Sequence, residues 1–205
     1  MGARILCLEG VVGSGKTTQS RKIEEYLKES KISCLVVNEK WYEPFKEVVT
    51  EWHKKGANQR FSKDEVISFA EARGEVHKKY LFPLLDSFVT MLFDRCFYTS
   101  GVYQSDGELT VQEILEINER YTIIKPESGF VLICEPTVAL ERANIRRKTK
   151  NGYNLPSMNE TLEEVTKRRE LYIELANQRP ELTLIDTTSK SEPEVFEEIR
   201  RKLKL

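Results

Sequence analysis

Short apolar runs of strand length alternate along the chain with stretches of helical spacing. Ile5 to Leu8, Ile32 to Val37, Val89 to Phe93, Gly129 to Ile133 and Leu182 to Ile185 are each mostly apolar, and at least one helical stretch separates each from the next. Lys16 to Glu29, with Ile23, Tyr26 and Leu27 at helical spacing, is the first of these stretches. Strands that are apolar on both faces, joined by crossover helices, predict an α/β sandwich around a five-stranded parallel sheet flanked by helices.

Composition narrows the class. A chain of 205 residues with 40% hydrophobic and 32% charged residues predicts one folded unit with a sizeable core, not a disordered chain. Thirty-two Lys and Arg against 33 Asp and Glu leave a formal charge of -1, so nothing in the overall balance calls for nucleic acid or an anionic membrane. The four cysteines, Cys7, Cys34, Cys96 and Cys134, form no CxxC pair and have no zinc-like spacing to histidine; they read as free, buried thiols of a reducing compartment. The apolar run before Glu9 is too short for a signal sequence or a membrane span, which predicts a cytoplasmic protein.

Candidate chemistry begins directly after the first apolar run. Gly10-Val11-Val12-Gly13-Ser14-Gly15-Lys16-Thr17-Thr18 fits the G-x-x-x-x-G-K-[ST] pattern. Glycines let backbone N–H groups curl around a polyphosphate, and the helix that follows points its positive end at the same charge. Lys16 is expected to reach the β- and γ-phosphates and the Thr17 hydroxyl to ligate Mg2+, so the chain is expected to bind ATP or GTP. There is no Asn-Lys-x-Asp stretch for a GTPase and no apolar run ending in an acidic pair for a motor. The third strand instead ends in Phe93-Asp94-Arg95, and strand ends line the ligand crevice of a parallel sheet. Asp94 there would hold the metal ion through water, and Arg95 would fork onto an acceptor phosphate.

These motifs, taken together, resemble the thymidylate kinase family. Besides the loop through Gln19, the resemblance covers Phe69-Ala70-Glu71-Ala72-Arg73 with His77 and Pro83, and Asp94-Arg95 through Gln104. It continues with the basic run Arg142 to Arg147 and with Glu170 to Asp186, so it spans most of the chain in family order. It implies a P-loop kinase three-layer fold over residues 1–205 with a small mobile lid at about 142–157. The implied reaction moves the γ-phosphoryl group of ATP to dTMP, and the implied assembly is a homodimer. Phe69 and Arg73, four apart on one helical face, would stack on the pyrimidine and donate to its carbonyl. The resemblance gives Arg95 to the monophosphate, and Tyr103 and Gln104 to the base pocket.

Arg142, Arg146, Arg147, Lys148 and Lys150 make a dense basic run. The variable positions of the phosphate loop carry no basic residue, so this run is expected to supply the transition-state charge, through Arg142 and Arg146. Two positions depart from the family. Val12 stands where an acid usually reads the sugar 3'-hydroxyl. The second strand leads into Asn38-Glu39-Lys40-Trp41 in place of Arg-Glu-Pro, which looks more like deoxynucleoside kinases. Glu39 is then either a substrate-site acid or the base of a 5'-hydroxyl kinase. A nucleotide-binding regulatory protein without transfer chemistry is a third alternative.

Overall fold

The computed structural model describes residues 3–55, 60–149 and 161–203. Its strands are β1 (Arg4–Gly10), β2 (Cys34–Val37), β3 (Thr90–Asp94), β4 (Ser128–Ile133) and β5 (Leu182–Asp186). They form one parallel sheet in the order β2-β3-β1-β4-β5. The helices among the described residues are α1 (Lys16–Glu29), α2 (Glu43–Lys54), α3 (Lys63–Val76), α4 (Phe97–Gln104), α5 (Val111–Tyr121), α6 (Pro136–Thr149), α7 (Leu162–Gln178) and α8 (Glu192–Leu203). None is long and apolar enough to cross a membrane. The expected α/β architecture is therefore the observed one.

Burial explains where the expectation was sharp. Of the strands between two neighbours, β3 is buried throughout, and β1 and β4 are buried except at their first residues. These are the runs that read as continuously apolar. The edge strand β2 is only partly buried, and it starts at Cys34, two residues later than the apolar run. Ile32 instead closes the turn after α1, its N–H donating to Leu27 O at 2.8 Å, and Ser33 O accepts from Thr90 N–H at the start of β3 at 3.1 Å. This corrects one cysteine expectation. Cys7, Cys96 and Cys134 are buried, whereas Cys34 on the edge strand is only half-buried.

Contacts divide the chain into two compact units. One comprises Met1–Cys7 with Leu27–Glu127, the other Leu8–Tyr26 with Ser128–Leu205. In the first, β2 pairs with β3 in parallel, with Val37 opposite Phe93. Helices α3 and α5 both start on capping boxes, Ser62 with Glu65 and Thr110 with Glu113, which satisfy N–H groups that the helix leaves unpaired. Gly74 in α3 faces α5 closely enough that a Cβ there would lie 2.9 Å from Tyr121 O. In the second unit, β4 pairs with β5 in parallel, with Ile133 opposite Asp186, and α7 starts on the capping box of Thr161 and Glu164.

The close approach at Gly74 is testable. The obstacle is backbone, so it cannot swing aside, and Gly74→Val should lower unfolding stability by about 1–3 kcal/mol. Denaturant midpoints measure this; an unchanged midpoint would mean that α3 and α5 have room to part.

Candidate active site

Each unit carries one half of the candidate chemistry. In the Leu8–Tyr26 and Ser128–Leu205 unit, β1 ends in the glycine loop and α1 starts at Lys16. Gly10, Gly13 and Gly15 have φ of 133°, 70° and 97°, in the region that favours glycine. Two of them are also pinned from outside: a Cβ on Gly10 would lie 1.8 Å from Leu132 O, and one on Gly13 would lie 2.2 Å from Ala139 O. At Gly15 a Cβ would meet nothing within 4 Å. The loop is thus closely packed at Gly10 and Gly13 and open at Gly15, which is the shape a phosphate cradle requires.

Side chains hold the loop in that curl. Ser14 Oγ donates to Val11 O at 2.8 Å, and the buried Lys16 ammonium donates to the same carbonyl at 2.5 Å. Thr187 Oγ1, just past the end of β5, lies 3.2 Å from Ser14 O and 3.1 Å from Ile133 O. Arg142 on α6 joins this set. Its Nη1 donates to Thr187 Oγ1 at 3.3 Å, and its Nη2 donates to Thr187 O at 3.0 Å and Thr188 O at 3.1 Å. The buried Thr187 therefore links the first arginine of the basic run to the phosphate loop. Arg146 lies one turn further along α6 and is exposed, as is Thr17; Val12 and Thr18 are half-buried. Lys150, the side chains of Arg147 and Lys148, and residues 150–157 of the expected lid lie outside the described residues. Burial raises the Cys134 thiol pKa at the end of β4, against the opposing pull of Arg142 and Lys16.

The other half belongs to the Met1–Cys7 and Leu27–Glu127 unit. The end of β3 places Asp94, which is buried, next to Arg95, whose φ of 75° is left-handed for a residue with a side chain. Such backbone costs about 1–3 kcal/mol and persists where the surroundings impose it, most often at functional sites. The Arg95 guanidinium donates to Thr99 Oγ1 at 3.3 Å and lies 5.3 Å from the centre of the Tyr103 ring. Gln104, 3% exposed, has a side-chain oxygen with no hydrogen-bond partner among the described residues. The β2–β3 register carries the chain after Val37 beside Asp94 and Arg95. There partial loss of water around the Lys40 ammonium, then the Arg95 charge, lowers its pKa, while Asp94 acts in the opposite direction.

Phe69 and Arg73 share a face, as their spacing predicts. Phe69 packs edge-on against Phe45 at 5.7 Å and Phe61 at 5.5 Å, and the Arg73 guanidinium lies 4.9 Å from the centre of the Phe45 ring. Arg73 is nevertheless an interior residue, 1% exposed. Its Nε donates to both oxygens of Glu39 at 3.0 and 2.8 Å, its Nη2 donates to Ser100 Oγ at 3.1 Å, and its Nη1 donates to Asn118 Oδ1. His77 Nε2 lies 3.0 Å from Glu39 Oε1. Burial alone would raise the Glu39 pKa. The Arg73 charge, then hydrogen bonding from His77, outweigh it and hold the carboxylate below its usual range.

Residues 8–199 match the family profile described as "Thymidylate kinase". The chain belongs to that family. It is 31% identical over 205 residues to the thymidylate kinase of Symbiobacterium thermophilum, covering 96% of this chain and 90% of that one. The thymidylate kinase of Leptospira interrogans is 29% identical over 167 residues, covering 80% and 77% of the two chains. The crystal structure of thymidylate kinase from Ehrlichia chaffeensis shares the fold, with a TM-score of 0.72 at 21% identity over the full length of both chains.

Within this family member, sequence reasoning gave roles to Glu39, Arg73 and Arg95, and named His77 only as part of the matching helix. Asn118 and Ser100 lie 45 and 27 residues from Arg73; Ser100 falls in the matching segment after Asp94-Arg95, whereas Asn118 stands in no motif. Lys40 had a weak signal, as a basic residue just past a strand end. The open face at Gly15 yields a test. Gly15→Ala introduces left-handed strain of about 1–2 kcal/mol but no clash. It should leave the protein folded while weakening ATP binding about tenfold or more. Calorimetric titration with ATP that returned the wild-type affinity would show that the phosphates lie elsewhere.

Proposed function

We propose that this chain transfers the γ-phosphoryl group of ATP to dTMP, giving dTDP and ADP. The reaction breaks the bond between the γ-phosphorus and the β,γ-bridging oxygen and forms one to a phosphate oxygen of dTMP. Little proton chemistry is involved, so catalysis is positioning plus positive charge. Lys16 and the backbone N–H groups of the loop hold the donor phosphates, with the positive end of α1 behind them. Mg2+, for which the exposed Thr17 hydroxyl is the expected ligand, would add charge neutralisation when bound. Arg95 takes the acceptor monophosphate, Phe69 and Arg73 take the base with Tyr103 and Gln104 beside them, and Arg142 and Arg146 face the charge that develops in the transition state.

The observation that carries a monophosphate acceptor over a nucleoside is the state of Glu39. A 5'-hydroxyl must lose its proton, and the base must be able to take it. Glu39 is buried, bonded to Arg73 through both oxygens, and held below the usual carboxylate range, which makes it a weak proton acceptor. A monophosphate oxygen already carries its charge and needs no base. Arg95 at a strained strand end supports the same acceptor, since backbone strain is retained where a side chain must be aimed. Family membership also supports a cytoplasmic homodimer, which sedimentation and fractionation test.

Two measurements check the reading. ADP release should be rapid with dTMP and absent with thymidine; turnover of thymidine alone would replace the monophosphate kinase with a nucleoside kinase. Lys16→Ala should lower kcat/KM for dTMP by about a hundredfold or more, because a fixed charge at the transferred phosphate is lost. Wild-type turnover in that variant would refute the cradle assignment.

A further inference from the structure

Arg73 is held more tightly than contact with a base requires. A guanidinium has five N–H groups. The Nε group is engaged by Glu39, one Nη1 group by Asn118 and one Nη2 group by Ser100, which among the described residues leaves one N–H on each Nη. The Phe45 ring covers one face of the plane at 4.9 Å.

The partners are themselves fixed. Ile124 N–H donates to His77 Nδ1 at 3.2 Å. A ring nitrogen that accepts a backbone N–H carries no proton, so the imidazole proton sits on Nε2 and is donated to Glu39 at 3.0 Å. Asn118 Nδ2 donates to Ile114 O at 2.8 Å, which turns its oxygen toward Arg73. Glu39 and His77 are 4% and 1% exposed, so neither exchanges its partner for water.

We propose that Glu39 and His77 are positioning residues that lock the Arg73 guanidinium. Its two remaining N–H groups then select a pyrimidine bearing a 4-carbonyl over one bearing a 4-amine. A long side chain whose rotamers are already fixed loses little freedom when a ligand arrives, and it cannot turn away when a donor meets a donor. Rejection of an amine thus comes from rigidity as much as from the N–H groups themselves. The inference rests on the reading of Arg73 as the arginine that contacts the base, and it gives Glu39 a role other than proton acceptor.

The test compares dissociation constants, by calorimetry on the full chain, for dTMP and 5-methyl-dCMP, in which the 4-carbonyl is an amine. Wild type should prefer dTMP. Glu39→Gln should cut that preference about tenfold or more while ATP affinity stays within about twofold. His77→Ala should do likewise, whereas His77→Gln, which keeps a donor toward Glu39, should restore most of the preference. His77→Ala carries the test if Glu39→Gln fails to fold. In an Arg73→Lys background, Glu39→Gln should change the preference no further. Weaker binding of both nucleotides with their ratio intact, or an additive effect in the double variant, would overturn the positioning role. If Arg73→Lys lowers the preference and neither Glu39→Gln nor His77→Ala does, positioning fails alone. If Arg73→Lys leaves the preference at its wild-type value, Arg73 does not contact the base and both readings fall.

Discussion

The buried ion pair between Glu39 and Arg73 organises one of the two units. Taking two charges out of water is costly, and the cost is repaid only when geometry is good and the remaining polar atoms find partners. Here the carboxylate accepts from the guanidinium through both oxygens and from His77, and the guanidinium reaches Ser100 and Asn118 as well. The turn after β2 and the helices α3, α4 and α5 therefore each place a group on one cluster. Removing one member of such a pair costs about 3–5 kcal/mol, because the other is left charged and buried. A well-packed apolar substitute is often as stable, so stability alone gives no reason for charges in this interior. A site that must present N–H groups in a fixed direction does.

The other unit solves a related problem with backbone in place of charge. The phosphate loop must expose N–H groups without folding onto itself, and it is curled by positive φ at Gly10, Gly13 and Gly15. Leu132 and Ala139 carbonyls lie where side chains on Gly10 and Gly13 would need to go, so β4 and α6 set the outer wall of the loop. Thr187 and Arg142 complete the wall with hydrogen bonds that reach Ser14 O. Arg142 is thus tied to the loop through Thr187 and bonded to two carbonyls after β5. Arg146 lies one turn along α6 and is exposed.

Local signals in the sequence were reliable and non-local ones were not. The run Lys16 to Glu29 is α1 residue for residue, and all five apolar runs are strands, because buried parallel strands and an amphipathic helix each leave a short-range pattern. The spacing of Phe69 and Arg73 correctly put them on one face. Burial of Arg73 did not show, since the residues that satisfy it come from positions 39, 100 and 118, none of them at helical spacing from 73. Glu39 shows why this matters. From sequence it read as either an acid of the site or a base; its partners, found only in three dimensions, make it an anchor. Cys34 reads like Cys7 in sequence, yet it lies on an edge strand with half its cover missing.

The two arginines of the acceptor half illustrate a division of labour. Arg73 is buried, planar and bonded on all three nitrogens, an arrangement suited to distinguishing a neutral acceptor from a neutral donor. Arg95 is half-exposed, touches the Thr99 hydroxyl and the Tyr103 ring, and stands on left-handed backbone beside Asp94 and Lys40. It suits a dianion, whose attraction is long-ranged and tolerant of angle. Specificity for a base requires rigid, short-range geometry, whereas capture of a phosphate requires charge with some latitude. Under the proposed assignment the same side-chain type would meet both demands because its surroundings differ: a buried network in one place, a half-exposed strand end in the other.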